Sequence, residues 1–356
     1  MTYSCRFCQA PLDSSVIDLG HQPPSNSYLT KEQLELPEKN FPLKVYVCRK
    51  CWLMQLPAHN TSEELFTPDY AYFSSTSESW CKHAKKFVDS AIVKLGLGTE
   101  SYVIEIASND GYLLQYVKDK EIPCLGIEPT HETAEAARKK GIETVEKFFN
   151  TDLAETLPPA DLVVANNVLA HVPDIKNFVK GISIVLKSKG LASIEFPHLL
   201  KLLLGNQFDT IYHEHYSYLS LNVVKKITSS VGLEIIDVEE IPTHGGSLRV
   251  WLSKGNFNKR TNKVDEILNM EKIAGLESLD AYRGFQMRAE KTKFKLLDYL
   301  INIKKQDKKI LGYGAAAKGC TLLNYSGIKS DLLPAVADAA KSKQGKFLPG
   351  SHIPII

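Results

Sequence analysis

The sequence predicts an α/β fold built on a doubly wound parallel sheet. Apolar runs of strand length alternate with helical patterns from residue 103 to residue 231. Strands that alternate with helices pair in parallel, because each helix returns the chain to the same edge of the sheet. Two further β runs, at 233–241 and 247–252, follow without a helix between them. They predict an antiparallel hairpin that closes the sheet.

Composition and charge limit the classes of function. A chain of 356 residues is long enough for two or three domains. Its net charge is only +2 and no basic block stands out, so no long-range field for nucleic acid is evident. No stretch reaches the ~20 apolar residues of a membrane span, and the amino terminus lacks the apolar core of a signal peptide. We therefore expect a cytoplasmic protein.

Two Cys-x-x-Cys pairs predict a metal site near the amino terminus. They are Cys5 with Cys8 and Cys48 with Cys51. In a reducing compartment such pairs are more often metal ligands than disulfides, and four thiolates suit a closed, structural Zn²⁺ site. Free thiols are the alternative, because 39 residues separate the pairs, more than the ~15–20 of a zinc ribbon. The intervening segment is rich in Pro, Ser and Gln, so we expect metal to replace core there and chelation to unfold it.

An aromatic, hydroxyl-rich run at residues 69–77 precedes the sheet. A helix follows from Ser77, and its apolar face comprises Trp80, Ala84, Phe87, Val88, Ala91, Ile92 and Leu95. The run before the helix is expected either to cover a ligand as a lid or to be a connecting loop that packs by its aromatic side chains. Both interpretations stay open at this stage.

Polar groups suited to a nucleoside follow three neighbouring strands. The first strand ends in E-I-A-S-N-D-G, where residues 109–111 break it before a helix. Glu128 ends the second, where a carboxylate can accept from both ribose hydroxyls, and Asn166 and Asn167 end the third. An ordinary α/β domain with acids at its strand ends is the alternative. The predicted strands are 103–107, 124–128, 142–146, 161–166 and 191–196, and the predicted helices are 111–119, 131–140, 151–156, 174–188 and 220–231.

These motifs resemble those of the class I S-adenosylmethionine-dependent methyltransferases. E-I-A-S-N-D-G is similar to their first motif, G-I-E-P to their ribose acid and D-L-V-V-A-N-N-V-L-A-H-V to their fourth motif. A dinucleotide site would instead require G-x-G-x-x-G, and this turn offers only Gly111. One departure is Ala107, where many methyltransferases carry Gly. The resemblance implies that S-adenosyl-L-methionine is bound by Glu105, Ala107, Ser108, Asn109, Asp110, Gly111, Glu128, Pro129, Asn166, Asn167 and Val168.

Residues 211–218, I-Y-H-E-H-Y-S-Y, form a dense group of titratable side chains near the predicted carboxyl edge of the sheet. Functional sites collect such groups. Three interpretations compete: a metal site formed by His213 and His215, a buried polar cluster without chemistry, and an acid–base site. The absence of H-E-x-x-H and of an obvious third ligand weakens the first.

Two glycine-containing loops are candidate binding sites. H-G-G-S-L-R, at 244–249, joins the hairpin strands, and its glycines permit positive φ or close approach of a ligand, although a simple turn is the alternative. A helical connector at 262–305 is interrupted by Gly275 and Gly284. It leads to a second strand–loop–helix, G-Y-G-A-A-A-K-G, where small residues and Lys318 suit a phosphate.

Together the motifs resemble the sugar C-methyltransferases that act on nucleotide-linked keto-deoxysugars. The resemblance runs from the Cys-x-x-Cys pairs through Y-A-Y-F-S-S, Y-H-E-H-Y-S-Y-L-S and H-G-G-S-L-R to G-Y-G-A-A-A-K-G. It implies a zinc-binding lobe at 1–68, a class I methyltransferase domain at 69–256, and at 257–356 a connector with a Rossmann-like sugar-nucleotide-binding domain. That last domain is expected to be incomplete, because the family usually continues for some tens of residues.

The resemblance also implies roles for individual residues. It assigns His215 as the base, Glu214, Tyr212 and His171 as groups that orient the sugar and stabilise an enolate, and Tyr72, or else Tyr70, as the lid tyrosine. The predicted substrate-binding residues are His244, Gly245, Gly246, Arg249, Gly312, Tyr313, Gly314 and Lys318. We expect a dTDP-linked keto-sugar as substrate and a monomer or weak homo-oligomer. The alternatives are a small-molecule O- or N-methyltransferase, a zinc-containing nucleic-acid methyltransferase or RNA-binding protein, and a catalytically idle sugar-nucleotide-binding protein.

Overall fold

The computed structural model describes residues 3–59, 73–255 and 259–356. Contacts divide the chain into two compact units. Unit 1 comprises residues 1–61, 199–218 and 274–356, and unit 2 comprises residues 62–198 and 219–273. Each unit is therefore assembled from segments that are distant in sequence. The predicted domains, with boundaries at residues 68 and 256, are consecutive segments of the sequence and not these interleaved units. They stay a prediction.

Fifteen strands and ten α-helices are present in the described residues. The strands are β1 (Tyr3–Ser4), β2 (Pro11–Leu12), β3 (Ser14–Gln22), β4 (Phe41–Val47), β5 (Met54–Gln55), β6 (Val103–Ile106), β7 (Cys124–Ile127), β8 (Thr144–Val145), β9 (Ala160–Asn166), β10 (Leu186–Pro197), β11 (Ser217–Tyr218), β12 (Leu233–Ile241), β13 (Ser247–Lys254), β14 (Gly312–Tyr313) and β15 (Val336–Ala337). The helices are α1 (Glu78–Leu95), α2 (Leu114–Lys118), α3 (His131–Lys139), α4 (Thr151–Ala154), α5 (Ile175–Val185), α6 (Leu199–Leu204), α7 (Leu221–Ser229), α8 (Asn262–Ile273), α9 (Phe285–Lys305) and α10 (Ala317–Ser326).

Unit 2 contains a seven-stranded sheet with the order β12-β13-β10-β9-β6-β7-β8. The five strands from β10 to β8 pair in parallel, whereas β13 is antiparallel to both β10 and β12. The predicted doubly wound sheet and its closing hairpin are thus confirmed. The carboxyl ends of β6, β7 and β9 meet at one edge of the sheet, which is where the sequence predicts a ligand.

Helix α1 packs on this sheet by the predicted face. Its buried side chains Ala84, Phe87, Val88 and Ala91 share a core cluster with Val103, Leu162 and Trp251. The hydroxyl of Ser77 caps the helix by accepting from the N–H of Trp80 at 3.3 Å. The helix ends before Gly96, whose φ is 63°. The cap and the apolar spacing were both readable in the sequence.

All five predicted helices of this region are shorter in the structure, and two of them differ from the prediction most. Helix α2 begins at Leu114 rather than residue 111, because Asn109 and Gly111 have φ of 50° and 75° and prolong the turn. Helix α5 ends at Val185, and β10 begins at Leu186 with a register shift before Leu191. A Cβ at Gly190 would approach the carbonyl oxygen of Ala160 to 2.8 Å, so this irregular strand start needs glycine.

Unit 1 contains a four-stranded antiparallel sheet with the order β11-β5-β4-β3. Its buried side chains, such as Val45 and Met54, share one core cluster with Leu200, Ile211 and Phe285. The amino-terminal segment therefore has an apolar core, whereas the sequence suggested that metal would take the place of one. Side chains from residues much later in the chain complete this core, and the local composition of the amino-terminal segment does not reveal them.

The carboxy-terminal part of unit 1 contains a small βαβ unit. In the chain, β14 precedes α10 and β15 follows it, and the two strands pair in parallel, as expected when a helix follows the predicted strand and loop. The predicted helical stretch at 262–305 is interrupted at Gly275 and Gly284, whose φ values are 77° and 73°. Within the described ranges, every helix is too short or too polar to cross a membrane.

Candidate active site

The turn after β6 has a left-handed backbone at three positions. Ala107, Asn109 and Gly111 have φ of 57°, 50° and 75°. Glycine adopts such angles without steric cost and Asn tolerates them, but an alanine there is strained. Ala107 therefore has a backbone conformation that glycine would adopt without strain. At Gly111 a Cβ would lie 2.4 Å from Cδ1 of Ile142, so another residue would displace that side chain and also strain the left-handed backbone.

Buried polar atoms without partners mark the carboxyl ends of two of the three strands, β6 and β9. Within residues 73–255, Glu105 Oε2, Ser108 Oγ, Asn166 Oδ1 and both polar side-chain atoms of Asn167 are buried without a hydrogen-bond partner. Each such atom costs about 1–3 kcal/mol unless a ligand or water satisfies it. These residues come from the segments that resemble the first and fourth motifs, so the donor and acceptor set fits the nucleoside and amino-acid groups of S-adenosylmethionine.

Two carboxylates beside this edge, those of Glu128 and Glu105, differ in their hydrogen bonding and in the causes that raise their pKa values. Glu128 accepts from the N–H groups of Asn109 and Thr130, both at 3.0 Å, and from the Thr130 hydroxyl. Burial raises the pKa of Glu128 nevertheless. Burial first, and then the charges of Glu128 and Asp110, raise the pKa of Glu105 well above its usual range. A cationic ligand beside Glu105 would reverse this effect.

The side chains of the first motif also hold the residues that precede α1. Oδ1 of Asn109 accepts from the N–H of Ser74 at 2.8 Å, and the Asp110 carboxylate accepts from the N–H of Ser75 at 3.3 Å and from its hydroxyl. Nζ of Lys140 lies 3.3 Å from Oδ2 of Asp110 and donates to its backbone oxygen at 2.7 Å. Tyr70 and Tyr72 lie outside the described residues, so the choice between lid and loop stays open.

The remaining cofactor candidates and His171 lie directly after strands β7 and β9. Pro129 separates Glu128 from Thr130. Val168 precedes a short 3₁₀ helix, Leu169–His171, which His171 ends. All three residues therefore belong to unit 2. Their roles stay predictions.

Residues 211–218 belong to unit 1 and form a turn followed by β11, rather than one strand. The N–H of His215 donates to the carbonyl of Tyr212 at 2.9 Å, and the two rings lie 4.0 Å apart. Nδ1 of His215 lies 2.8 Å from the carbonyl oxygen of Thr210, which can only accept. Nδ1 therefore carries the proton in the neutral ring, and Nε2 is the basic nitrogen.

The neighbours of His215 have structural partners. Glu214 is buried and accepts from Ser25 Oγ at 3.2 Å and from Asn26 Nδ2 at 3.0 Å, and burial raises its pKa. His213 is also buried, with Nε2 3.3 Å from the carbonyl oxygen of Phe41, and burial lowers its pKa to about 4. In the described parts of the chain, the metal-ligand grouping consists of the four cysteines and includes neither His213 nor His215.

The four cysteine sulfurs form a compact cluster in unit 1. All four lie within 4.8 Å of one another, with 3.5 Å between Cys5 and Cys51 and between Cys8 and Cys48. Hydrogen bonding from Cys51 lowers the pKa of the Cys5 thiol to about 4, with a smaller contribution from Gln55. Four sulfurs clustered in this way fit tetrahedral Zn²⁺.

The loop that joins β12 and β13 has the open backbone expected of a ligand-binding turn. His244, Gly245 and Gly246 have φ of 53°, 83° and 112°, and the His244 ring lies 5.4 Å from the Trp80 ring. The side chain of Arg249, by contrast, is buried. Its role in substrate binding stays a prediction.

Two carboxylates bind the guanidinium of Arg249. Its Nε donates to Glu195 at 2.7 Å and its Nη1 donates to Glu239 at 3.1 Å. The same Glu195 carboxylate lies 3.0 Å from Nε2 of His83. Sequence reasoning missed Glu195 and His83, although an acid inside an apolar strand was the available signal, as it was at Glu105.

The second glycine loop is shaped by an acid that the sequence analysis did not select. Gly314 has φ of 92°, and the N–H of Ala315 donates to Asp338 at 2.7 Å. Tyr313 is exposed, and Lys318 is half-buried in the first turn of α10. Asp338 directly follows β15, which repeats the arrangement of Glu128 after β7. Together with Gly312, these residues stay candidate substrate ligands.

Comparisons with known proteins cover almost the whole chain. Family models match as a zinc binding domain over residues 5–66, a methyltransferase domain over 80–238 and a C-methyltransferase C-terminal domain over 242–356. The C-methyltransferase NovU of Streptomyces niveus is 34% identical over 356 residues, which cover 99% of this chain and 84% of that protein.

Solved structures resemble part of the chain more distantly. An S-adenosylmethionine-dependent methyltransferase from Clostridium acetobutylicum ATCC 824 has a TM-score of 0.42 and 14% identity, over 49% of this chain and 92% of that one. The PH0226 protein from Pyrococcus horikoshii OT3 has a TM-score of 0.43 and 12% identity, over 55% of this chain and 100% of that one.

Proposed function

Because this chain belongs to the C-methyltransferase family, we propose that it methylates a carbon next to the ketone of a nucleotide-linked keto-deoxysugar, with dTDP as the nucleotide. The chain is an S-adenosylmethionine-dependent methyltransferase with a zinc-binding domain. The sugar substrate, the carbon and the acid–base residues are the proposed part.

The chemistry of carbon methylation sets two requirements. A sugar carbon becomes nucleophilic only when it loses a proton, and that proton is acidic only beside a ketone, whose oxygen can carry the charge of an enolate. The enzyme must therefore supply a base with a pKa near neutral and hydrogen-bond donors for the developing oxyanion. Histidine suits the first requirement, because its unperturbed pKa is about 6.5.

The observation that carries the proposal is the tautomer of His215. The Nδ1–H of His215 donates to the carbonyl of Thr210, 2.8 Å away, so the basic lone pair of the neutral ring lies on Nε2, the atom that would take the proton of the substrate. The ring lies against Tyr212 at 4.0 Å, and this contact restricts its orientation. We assign His215 as the base, and Tyr212 and His171 as donors to the enolate oxygen.

Glu214 acts through the loop that it holds. Because its carboxylate accepts from Ser25 and Asn26, we assign it a positioning role in unit 1 rather than direct contact with the base. Tyr72 is proposed to cover the substrate. The other proposed substrate ligands are His244, Gly245, Gly246, Arg249, Gly312, Tyr313, Gly314 and Lys318.

The cofactor site of unit 2 supports the same reaction. Bound S-adenosylmethionine would supply the electrophilic methyl group that the substrate carbon accepts. Glu105, Ser108 and Asn167 would bind its polar groups, because their buried atoms otherwise lack partners within residues 73–255. Glu128 retains acceptor capacity for ribose hydroxyls beside its two backbone partners.

The direct test is to incubate the enzyme with S-adenosylmethionine and a panel of dTDP- and GDP-linked keto-sugars in deuterated water. We expect a mass gain of one methylene unit in the product, and exchange of deuterium at the carbon next to the carbonyl. Methylation of an oxygen or nitrogen atom without such exchange would replace the proposal by the O- or N-methyltransferase alternative. Failure to methylate any of these sugars, with tight salt-dependent RNA binding, would favour the nucleic-acid alternative.

The base is tested by His215→Asn, with the exposed His352→Asn as control. Loss of one general base should lower kcat by about 10²- to 10⁴-fold and change KM little. The control should retain normal kcat. Near-normal turnover of His215→Asn would remove the assignment of the base.

A further inference from the structure

The first cysteine knuckle, residues 5–8, is connected through Gln55 to residues 211–218, which we call the acid–base segment. Nε2 of Gln55 donates to the sulfur of Cys5 at 3.2 Å, and Oε1 accepts from the N–H of Arg6 at 2.9 Å. Gln55 is buried, with 1% of its surface exposed. Both ends of this amide are thus bonded to the knuckle. Such a group fixes the position of a metal ligand.

The backbone of Gln55 is also paired with the acid–base segment. Strand β5 pairs with β11, so that Gln55 lies opposite Ser217 and Met54 lies opposite Tyr218. The N–H of Leu56 continues this pairing by donating to the carbonyl of Tyr216 at 3.0 Å. The residue that precedes Tyr216 is His215. A shift of β5 would therefore move the backbone next to the proposed base.

Arg6 forms a second connection from the same knuckle. Its guanidinium carbon lies 5.1 Å from the centre of the Tyr216 ring, and its Nη2 donates to the carbonyl of Leu56. An arginine guanidinium is charged in proteins at neutral pH, and Arg6 is half-buried. The contact with Tyr216 is therefore a cation–π interaction that is partly shielded from water.

The second knuckle provides a matched comparison. Arg49 occupies the same place between Cys48 and Cys51 that Arg6 occupies between Cys5 and Cys8. The Arg49 side chain is 62% exposed and lies 3.9 Å from Asp13. The two knuckles have equivalent sequences, but only Arg6 of the two arginines lies over a residue of the acid–base segment.

We propose that Arg6 and Gln55 are positioning residues, through which the zinc-binding knuckle fixes the backbone and orientation of residues 211–218. The structural metal of this chain then has a role in catalysis without touching substrate. The inference rests on the proposed function only where His215 is taken as the base. The coupling between the knuckle and residues 211–218 can be measured without substrate.

The test compares Arg6→Met, Arg6→Lys, Gln55→Met and the control Arg49→Met in the full-length, zinc-loaded protein. Hydrogen–deuterium exchange is read at the amides of Leu56 and of residues 211–218, and zinc content and melting temperature are measured alongside. For Arg6→Met we expect retained zinc and about tenfold faster exchange at these amides, which corresponds to the loss of one partly buried cation–π contact. Arg6→Lys should restore part of the protection, and Arg49→Met should exchange like the unaltered protein.

Kinetic measurements on the same variants separate positioning from stability. With a suitable substrate, Arg6→Met and Gln55→Met should lower kcat, leave KM nearly unchanged and displace the acidic limb of the pH–kcat profile, where protonation of His215 stops catalysis. Arg49→Met should change neither kcat nor the pH–kcat profile. Equal exchange in Arg6→Met and Arg49→Met would overturn the inference even if His215→Asn were inactive. Conversely, if His215→Asn stayed active, the proposed base would be lost and the exchange result would still decide the coupling. If Arg6→Met failed to fold, Gln55→Met would decide by the same two measurements.

Discussion

The Oδ1 atom of Asn109 accepts a hydrogen bond from the backbone N–H of Ser74 at 2.8 Å. The Asn109 side chain, which follows β6, is thereby bonded to the residues before α1. The Asp110 carboxylate accepts two further hydrogen bonds from Ser75. A motif expected to bind the cofactor thus also fixes the residues that lead into α1. Changes in this turn should affect stability and ligand binding together.

Asn109 can be tested by two substitutions that separate backbone strain from hydrogen bonding. Asn109 has φ of 50°, so Asn109→Ala loses the bond to Ser74 and also strains the backbone, with an expected loss of about 2–3 kcal/mol. Asn109→Gly loses only the bond and should cost about 1 kcal/mol. Urea denaturation gives both values. Equal losses would show that the left-handed conformation does not contribute.

Ala107 offers a substitution that should stabilise the protein. Its φ of 57° is strained for alanine, so Ala107→Gly should raise the free energy of unfolding by about 0.5–1 kcal/mol after the entropy of glycine is included. Ala136→Gly, inside α3, is the control and should lower it by about 1 kcal/mol. Thermal and urea unfolding measure both. Destabilisation by Ala107→Gly would contradict the strain argument.

Glu105 should make the stability of the protein fall as pH rises. Its pKa in the folded state is raised by burial, so the folded chain binds more protons than the unfolded chain above the unfolded pKa of about 4.3. Stability is therefore lost progressively from that pH up through the folded pKa. Glu105→Gln should remove this slope and raise the melting temperature at pH 7 when S-adenosylmethionine is absent.

The same variant tests the role of Glu105 in the cofactor site. A neutral amide cannot attract the cationic groups of S-adenosylmethionine, so the rise in melting temperature on adding it should be smaller for Glu105→Gln than for the unaltered protein. An unchanged rise would exclude Glu105 from the cofactor site. The exposed Glu143→Gln provides the control.

His213 should contribute a pH dependence of the opposite sign. Burial lowers its folded pKa to about 4, whereas an unfolded histidine titrates near 6.5. The unfolded chain binds more protons between these values, so stability is complete above pH 6.5 and falls by up to ~3 kcal/mol as pH falls toward 4. His213→Gln keeps a donor for Phe41 but does not titrate. Its unfolding free energy should be flatter over this window, and an unchanged slope would contradict the assignment.

Much of the secondary structure of unit 2 was predictable, because the sequence patterns that indicate it are local. Apolar runs, the Ser77 cap and the break at residues 109–111 lie within single elements, and the hairpin bounds at 233–241 were correct. The two Cys-x-x-Cys pairs likewise predicted the sulfur cluster directly from spacing. Such features depend on neighbours in sequence, which a single chain displays.

The features that the sequence did not reveal are contacts between residues that lie far apart in the chain. In the sequence, residues 199–218 lie between the two segments of unit 2, but they belong to unit 1. There Ile211 shares a core cluster with Val45 and Phe285. Arg249 was selected as a ligand for substrate, and only the strand register places it opposite Glu195 and Glu239. Apolar or charged character predicts that a side chain needs a partner, but it does not say which one.

The interleaving of the two units also bears on biosynthesis. Translation proceeds from the amino terminus, so the thiols of residues 5–51 leave the ribosome well before β11, the edge strand of their sheet. All segments of unit 2 are complete at residue 273, whereas unit 1 still awaits residues 274–356. The nascent chain therefore exposes its thiols early, yet the unit to which they belong is the last to have all its parts.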